Sequence, residues 1–181
     1  MKTQTYTVKY RRKREGKTNY KKRLGYLKSE NPRLVIRKSL NNVNVQIIAF
    51  QSKGDKILAS GHSKELQKYG WKNIRSNLPT AYLTGLLAGK KAMKNKVDTA
   101  VLDIGFNVSV KGSKMYAAVK GLIDAGMKLN VPENMLPSDQ RVSGKHIEGF
   151  EAKSENQFSK YTDKEKLTQQ FSEVKDKILK V

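Results

Sequence analysis

The sequence has no cysteine, two histidines, one tryptophan, four prolines and only 16 acidic residues among 181. Without cysteine there is no disulfide framework, no thiolate zinc site and no cysteine nucleophile. His62 and His146 alone leave little from which to build a metal centre, and no cofactor is expected. No run approaches the ~18 consecutive apolar residues of a membrane-spanning helix, and the opening MKTQTYTVKYRRKR lacks the apolar stretch of a signal peptide. These absences predict a soluble, intracellular protein with no membrane partner.

What the chain does have is positive charge: 37 Lys+Arg against 16 Asp+Glu, a formal net charge of +21. A balance that lopsided repels itself, so it is expected where a dense polyanion neutralises it, and nucleic acid is the first candidate. At 181 residues with 37% apolar content, one main domain with extensions fits the usual ~100–200 residues per domain.

The charge is not evenly spread. Residues 1–38 hold 14 basic and 2 acidic residues, 39–144 hold 15 and 7, and 145–181 hold 8 and 7. Eight of the first group crowd together: Arg11, Arg12, Lys13, Arg14, Lys17, Lys21, Lys22 and Arg23. Blocks of like charge cannot fold against their own repulsion and commonly serve as interaction arms. Tyr6, Tyr10, Tyr20 and Tyr26 are interleaved with these cations, and rings that stack on unpaired bases beside phosphate-neutralising cations suit RNA. Residues 2–14 show no apolar period and are expected to order only on a partner. Beyond them, Thr18 is the expected cap of a short helix that docks through Tyr20, Leu24 and Leu27, spaced i, i+4, i+7.

The middle of the chain reads as layered α/β. After Asn31-Pro32, RLVIRKS is a strand; Asn41-Asn42 turns into VNVQIIAF, where Val43, Val45 and Ile47 alternate with Asn44 and Gln46; Lys53-Gly54-Asp55 turns into KILAS. Ser63 is the expected cap of a short helix to about Tyr69, closed by Gly70. Asn77 caps a longer helix with Pro79 in its first turn and AYLTGLLAGKKAMK as its body, where Gly85 and Gly89 allow close approach to a sheet. TAVLDIGF is a nearly continuous apolar run, expected as a strand buried on both faces. Ser113 then caps a helix bearing Met115, Val119, Leu122 and Ile123, closed by Gly126. A mixed sheet of about four strands with packed helices follows. From 130 to 150 periodicity fades; Thr162 and Glu165 then form a capping box, and Leu167, Phe171, Val174 and Ile178 make an apolar stripe for the domain or another protein. The expected division is a basic arm with a short helix over 1–30, an α/β core over 31–129, and a loop-rich extension ending in an amphipathic helix over 130–181.

Signals for catalysis are weak. No G-x-S-x-G elbow supports a triad, and Gly85 to Lys91 fails as a phosphate loop by spacing, by the absence of Ser or Thr after the lysine and by its helical setting. A metal-dependent nuclease would need clustered carboxylates. Asp98, Asp103 and Asp124 are the set to inspect, although Asp103 bonded to backbone or a nearby lysine at a strand end is the plainer expectation. His62 is expected to act as a hydrogen-bonding residue at a helix start. Lys111, Gly112, Ser113 and Lys114 suit an anion, since a glycine and a helix start with free N–H groups lie between two lysines.

The blocks RRKREGKTNYKKRL, NPRLVIRKS, ASGHSKEL followed by YGW, LPTAYLTGLLAGKKA, AVLDIG, KGSKMYAAVKGLIDAG and GKHI, in this order, resemble the universal L-eighteen family of large-subunit ribosomal proteins in its archaeal form. The eukaryotic relative is the large-subunit protein numbered five, whose tail is much longer. The resemblance runs from about residue 8 to 150. It implies a three-layer α/β domain that binds 5S ribosomal RNA and bridges it to the large, 23S-type ribosomal RNA, beside neighbouring proteins of the central protuberance. It also implies a structural, non-enzymatic role in the cytoplasmic large ribosomal subunit. Carried over by position, the family's RNA contacts fall on the arm from Arg11 to Arg23, on Arg33, Arg37, Lys38 and Ser39 of the first strand, and on Lys111 to Lys114. At Asn42 the chain departs from many relatives, which have a basic or ring-bearing residue there.

Overall fold

A computed structural model describes residues 7–150 and 166–180. Strands β1 (Arg33–Lys38), β2 (Val43–Ala49), β3 (Lys56–His62) and β4 (Val101–Asp103) lie side by side in the order β3-β2-β1-β4. The first three form the antiparallel meander that their short turns require, and β4 pairs parallel with β1. Alternation assigns the faces. Leu34, Ile36, Val43, Val45 and Ile47 are at most 1% exposed beneath the helices, while Arg33, Val35, Gln46 and Ile48 fall on the opposite face.

Helices α3 (Leu78–Lys94) and α4 (Lys114–Asp124) cover the inner face, and a second helical layer of α5 (Asp139–Ser143), α6 (Lys145–Glu148) and α7 (Leu167–Leu179) packs on α3. The result is the three-layer α/β arrangement expected from the sequence. Asn77 caps α3 by accepting the Thr80 N–H at 2.9 Å. The glycines of α3 serve close packing, but against α4 and not the sheet. A Cβ on Gly85 would lie 2.0 Å from the Ala118 carbonyl oxygen, and one on Gly121 would lie 2.2 Å from the Tyr82 carbonyl oxygen. The stripe Leu167, Phe171, Val174 and Ile178 is buried on the domain itself, with the Phe171 ring 5.5 Å from that of Tyr82. The expected Thr162–Glu165 capping box lies outside the described residues; the Glu148 carboxylate accepts the Thr168 N–H at the start of α7.

Two further local expectations are corrected. The strand expected over TAVLDIGF is only three residues long, because β4 is the sheet edge and has β1 as its single neighbour. Val101 and Leu102 are accordingly half-buried, and Gly105 at φ +64° turns the chain away. Ser63 does not cap the turn of 3-10 helix over Ser63–Tyr69. His62 does, accepting the Lys64 N–H on Nδ1 at 3.1 Å while Glu65 accepts the His62 N–H, so its expected helix-start role stands. Ser63 Oγ instead accepts the Val43 N–H and donates to Asn42 Oδ1, each at 3.1 Å, which turns the Asn42 side chain inward.

Candidate nucleic-acid interface

The basic arm forms two helical pieces, α1 (Arg11–Arg14) and α2 (Tyr20–Leu27), joined through Gly16 in the left-handed region at φ +63°. Residues 11–14 thus hold a helical turn without a partner, closed by N–H bonds from Lys13 and Arg14 to the Tyr10 carbonyl. Arg12 Nε donates to Thr18 Oγ1 at 2.8 Å, and the Tyr10 and Tyr20 rings lie 5.2 Å apart. Thr18 is therefore occupied by Arg12, and Asn19 caps α2 by accepting the Lys22 N–H at 3.1 Å. The expected docking stripe is corrected at two of its three positions: Tyr20 and Leu24 are 37% and 57% exposed, and Leu27 is half-buried. The side of α2 that meets the sheet carries Arg23 and Tyr26.

Beneath α2, on the outer face of the sheet, five charged side chains form a ladder. Arg23 Nη2 donates to both oxygens of Asp55 at 2.9 Å, and Arg33 Nη2 donates to Asp55 Oδ2 at 2.7 Å. Arg33 Nη1 reaches Asp103 Oδ2 at 3.2 Å, and Arg37 Nη2 reaches Asp103 Oδ1 at 3.3 Å. Arg37 Nη1 also donates to the carbonyls of Ile36 and Asp103, while Asp103 Oδ1 accepts the Gly105 N–H at 2.8 Å. Burial raises the pKa of the Tyr26 hydroxyl, and the nearby Asp103 carboxylate adds to the rise. Arg33, carried over as an RNA contact, is instead 6% exposed and turned into this ladder, so its charge is met within the protein. Asp103 does bond to backbone at the strand end, but its cations are arginines and not a lysine.

The arm and the outer sheet face enclose a groove of about 280 Å³, walled by Arg12, Lys17, Lys22, Tyr26, Gln46, Ile48 and Phe106 above the ladder. Around its rim the charge is unbalanced. Lys17 and Arg11 share the single Glu15, and among the described residues no carboxylate pairs with Lys13, Arg14, Lys21 or Lys22, all of which are exposed.

The first strand delivers Lys38 to the same edge as the start of α4. The half-buried Lys114 has its pKa lowered, first by desolvation and then by the positive charge of Lys38. Like charges placed near each other leave a positive potential that an anion would relieve. The neighbouring loop is built differently from expectation. The Gly112 N–H is not free but donates to the Met135 carbonyl at 3.0 Å, and the Ser113 N–H donates to Val110 at 3.2 Å. Ser113 occupies the cap position of α4 without a side-chain cap bond. Lys111 is exposed, so an anion here would meet lysine side chains and not the Gly112 and Ser113 amides. Ser39 likewise serves the hairpin turn, its Oγ donating to the Asn42 carbonyl at 3.1 Å and accepting the Asn42 N–H at 3.0 Å.

The lysine pair yields a prediction. Because the folded-state pKa of Lys114 is depressed, the unfolded chain holds that proton more tightly, and stability rises as pH climbs toward the ordinary lysine range. Lys38→Ala should move the Lys114 pKa back up and change the free protein's stability by no more than about 0.5 kcal/mol. The Lys38→Ala, Lys114→Ala double variant should flatten the log affinity against log salt line for RNA by about 1.4–1.8, two phosphate contacts' worth. NMR titration of Lys114 and salt-dependent binding check the two halves.

The three carboxylates inspected for nuclease chemistry do not converge. Asp98 lies 3.8 Å from the Lys128 ammonium, Asp124 accepts the Tyr82 hydroxyl at 2.6 Å, and Asp103 is held by two arginines. Among the described residues no three His, Cys, Asp or Glu are grouped to hold a metal ion. None of the described helices is long and apolar enough to cross a membrane.

Sequence reasoning missed Asp55, although it is the single acid between Pro32 and Lys64 in a strongly basic stretch. That isolation was the available signal. Phe106, 60% exposed at the groove, had none, since it ended an apolar run expected to be buried.

A basic three-layer α/β domain with its unpaired cations gathered on an arm and one sheet edge, and no converging catalytic set among the described residues, has the make-up of a nucleic-acid-binding protein. Residues 4–100 match the family described as "Ribosomal large subunit proteins 60S L5, and 50S L18". The chain is also 46% identical over 185 residues to the "Large ribosomal subunit protein uL18" of Methanococcus maripaludis, covering 96% of each chain. The chain belongs to this family of large-subunit ribosomal proteins, a structural class and not an enzymatic one. The similarity extends past residue 150, beyond the stretch over which the sequence blocks were recognised.

Proposed function

We propose that the chain binds 5S ribosomal RNA and bridges it to the large, 23S-type ribosomal RNA in the central protuberance, beside neighbouring large-subunit proteins. The observation that carries the reading is the separation of paired from unpaired charge. Two carboxylates, Asp55 and Asp103, meet Arg23, Arg33 and Arg37 and leave one positive charge over, with the Arg37 side chain 45% exposed, while Lys13, Arg14, Lys21 and Lys22 stay exposed on the arm that walls the groove. Charges arranged that way favour phosphates, and the tyrosines at the arm offer faces to unpaired bases. The RNA-contacting set proposed is Arg11, Arg12, Lys13, Arg14, Lys17, Tyr20, Lys21 and Lys22 on the arm, with Arg37, Lys38, Lys111 and Lys114 on the core. Arg23 and Arg33 hold the arm in place, and Gly112, Ser113 and Ser39 shape the backbone that carries the lysines.

Binding should be steeply salt-dependent, because each neutralised phosphate contributes a slope of roughly −0.7 to −0.9 in log affinity against log salt. Titration of 5S RNA at several salt concentrations, with a transfer RNA as competitor, tests this. A flat salt response, or equal affinity for the competitor, overturns the 5S assignment.

A further inference from the structure

We propose that Asp55 is a positioning residue for the arm, docking α2 on the sheet before any RNA is met, so that an acidic side chain promotes binding to a polyanion. The proposal rests on the RNA-binding reading above. Three observations support it. First, α2 has no fully buried residue: Tyr20 and Leu24 are exposed and only Tyr26, Leu27 and Arg23 are half-buried, so apolar packing holds it weakly. Second, the arm is fastened to the turn between β2 and β3 by a charge-assisted contact in which Arg23 Nη2 donates to both Asp55 oxygens at 2.9 Å. Third, Asp55 is itself held: its Oδ2 takes Arg33 Nη2 at 2.7 Å, and Arg33 is fixed in turn by Asp103.

Arg33 is too buried to reach a phosphate, so its guanidinium serves Asp55 and Asp103 and holds both carboxylates in place. The bond crosses 32 positions of sequence, from the arm to the turn between β2 and β3. An arm already docked avoids the conformational entropy that a loose one loses on binding. Asp55 is also spent on two guanidiniums, so its repulsion of a nearby phosphate is largely cancelled.

The test uses the full chain with Asp55→Asn, Asp55→Glu and Arg23→Gln, read by residue-resolved amide hydrogen exchange without RNA and by binding to 5S RNA across salt. Asp55→Asn raises the net charge from +21 to +22, and electrostatics alone would tighten binding. The expected result is opposite: about tenfold weaker binding with an unchanged salt slope, and about tenfold faster exchange over the later amides of α2 while α3 keeps its protection. Asp55→Glu restores part of both. Arg23→Gln leaves the Asp55–Arg33 pair intact and also frees α2; if Asp55→Asn loosens α3 as well, the exchange of Arg23→Gln alone decides. Unchanged α2 exchange in Arg23→Gln, or Asp55→Asn binding as tightly as the parent, overturns the proposal. A parent protein that does not bind 5S RNA would defeat the RNA reading instead, and the RNA-free exchange still reports on the docking.

Discussion

Gly85→Ala and Gly121→Ala, made singly, are expected to lower the melting temperature by about 4–8 °C, at roughly 2–4 °C per kcal/mol for a chain of this size. The new methyl group would sit 2.0 Å from the Ala118 carbonyl oxygen in the first case and 2.2 Å from the Tyr82 carbonyl oxygen in the second. Both obstacles are backbone, so no side chain can swing aside and the two helices must separate. Overpacking of this kind costs about 3 kcal/mol, against about 1 kcal/mol returned by the better helix propensity of alanine. The clash therefore wins. Gly25→Ala is the control, since a Cβ there meets nothing within 4 Å and should leave melting unchanged or raised. Thermal unfolding followed by circular dichroism separates the three variants.

Deleting residues 1–17 is expected to weaken RNA binding by about 10²–10³-fold near 0.15 M salt and to flatten the salt slope by about 3, if four of its cations meet phosphates. The segment carries Lys2, Lys9, Arg11, Arg12, Lys13, Arg14 and Lys17, and residues 7–17 are all exposed. Among the described residues nothing of the core leaves with them, and the losses to the rest of the protein are the Arg12–Thr18 side-chain bond, the Thr18 N–H bond to the Arg12 carbonyl and the Tyr10–Tyr20 contact, all at the surface. Melting should shift by no more than a few degrees. A large fall in melting temperature with unchanged affinity would show that the arm stabilises the fold and does not bind RNA.

Where the sequence could be read, one physical signal dominated. Alternation over Val43, Val45 and Ile47 gave the buried face of β2, and the 4, 3, 4 spacing of Leu167, Phe171, Val174 and Ile178 gave that of α7, because each face packs on a single layer. The same logic misled for α2, where Tyr20 and Leu24 of the apolar stripe are exposed and Arg23 meets Asp55 instead. Periodicity counts apolar residues and is blind to a guanidinium meeting a carboxylate 32 positions away. Caps at Thr18 and Ser63 were displaced by one residue, since neighbours of equal chemistry compete and distant partners, Arg12 and Val43, decide. At 111–114 the loop was placed correctly, but the use of the Gly112 amide by Met135 depends on a chain reversal that no local pattern announces.

The packing of α7 on α3 has a consequence for the order in which the protein is made. The last residue of α3 is Lys94 and the first of α7 is Leu167, so roughly 70 residues are synthesised between the two. At ~5–20 residues per second that interval lasts on the order of 4–15 s. Until α7 is made, the side of α3 that will meet Phe171, Tyr82 included, lacks its last covering helix. Newly made chains thus pass through a sticky stage while they still carry an unneutralised basic arm. Like-charged arms keep neighbouring nascent chains apart until the final helix closes the apolar face.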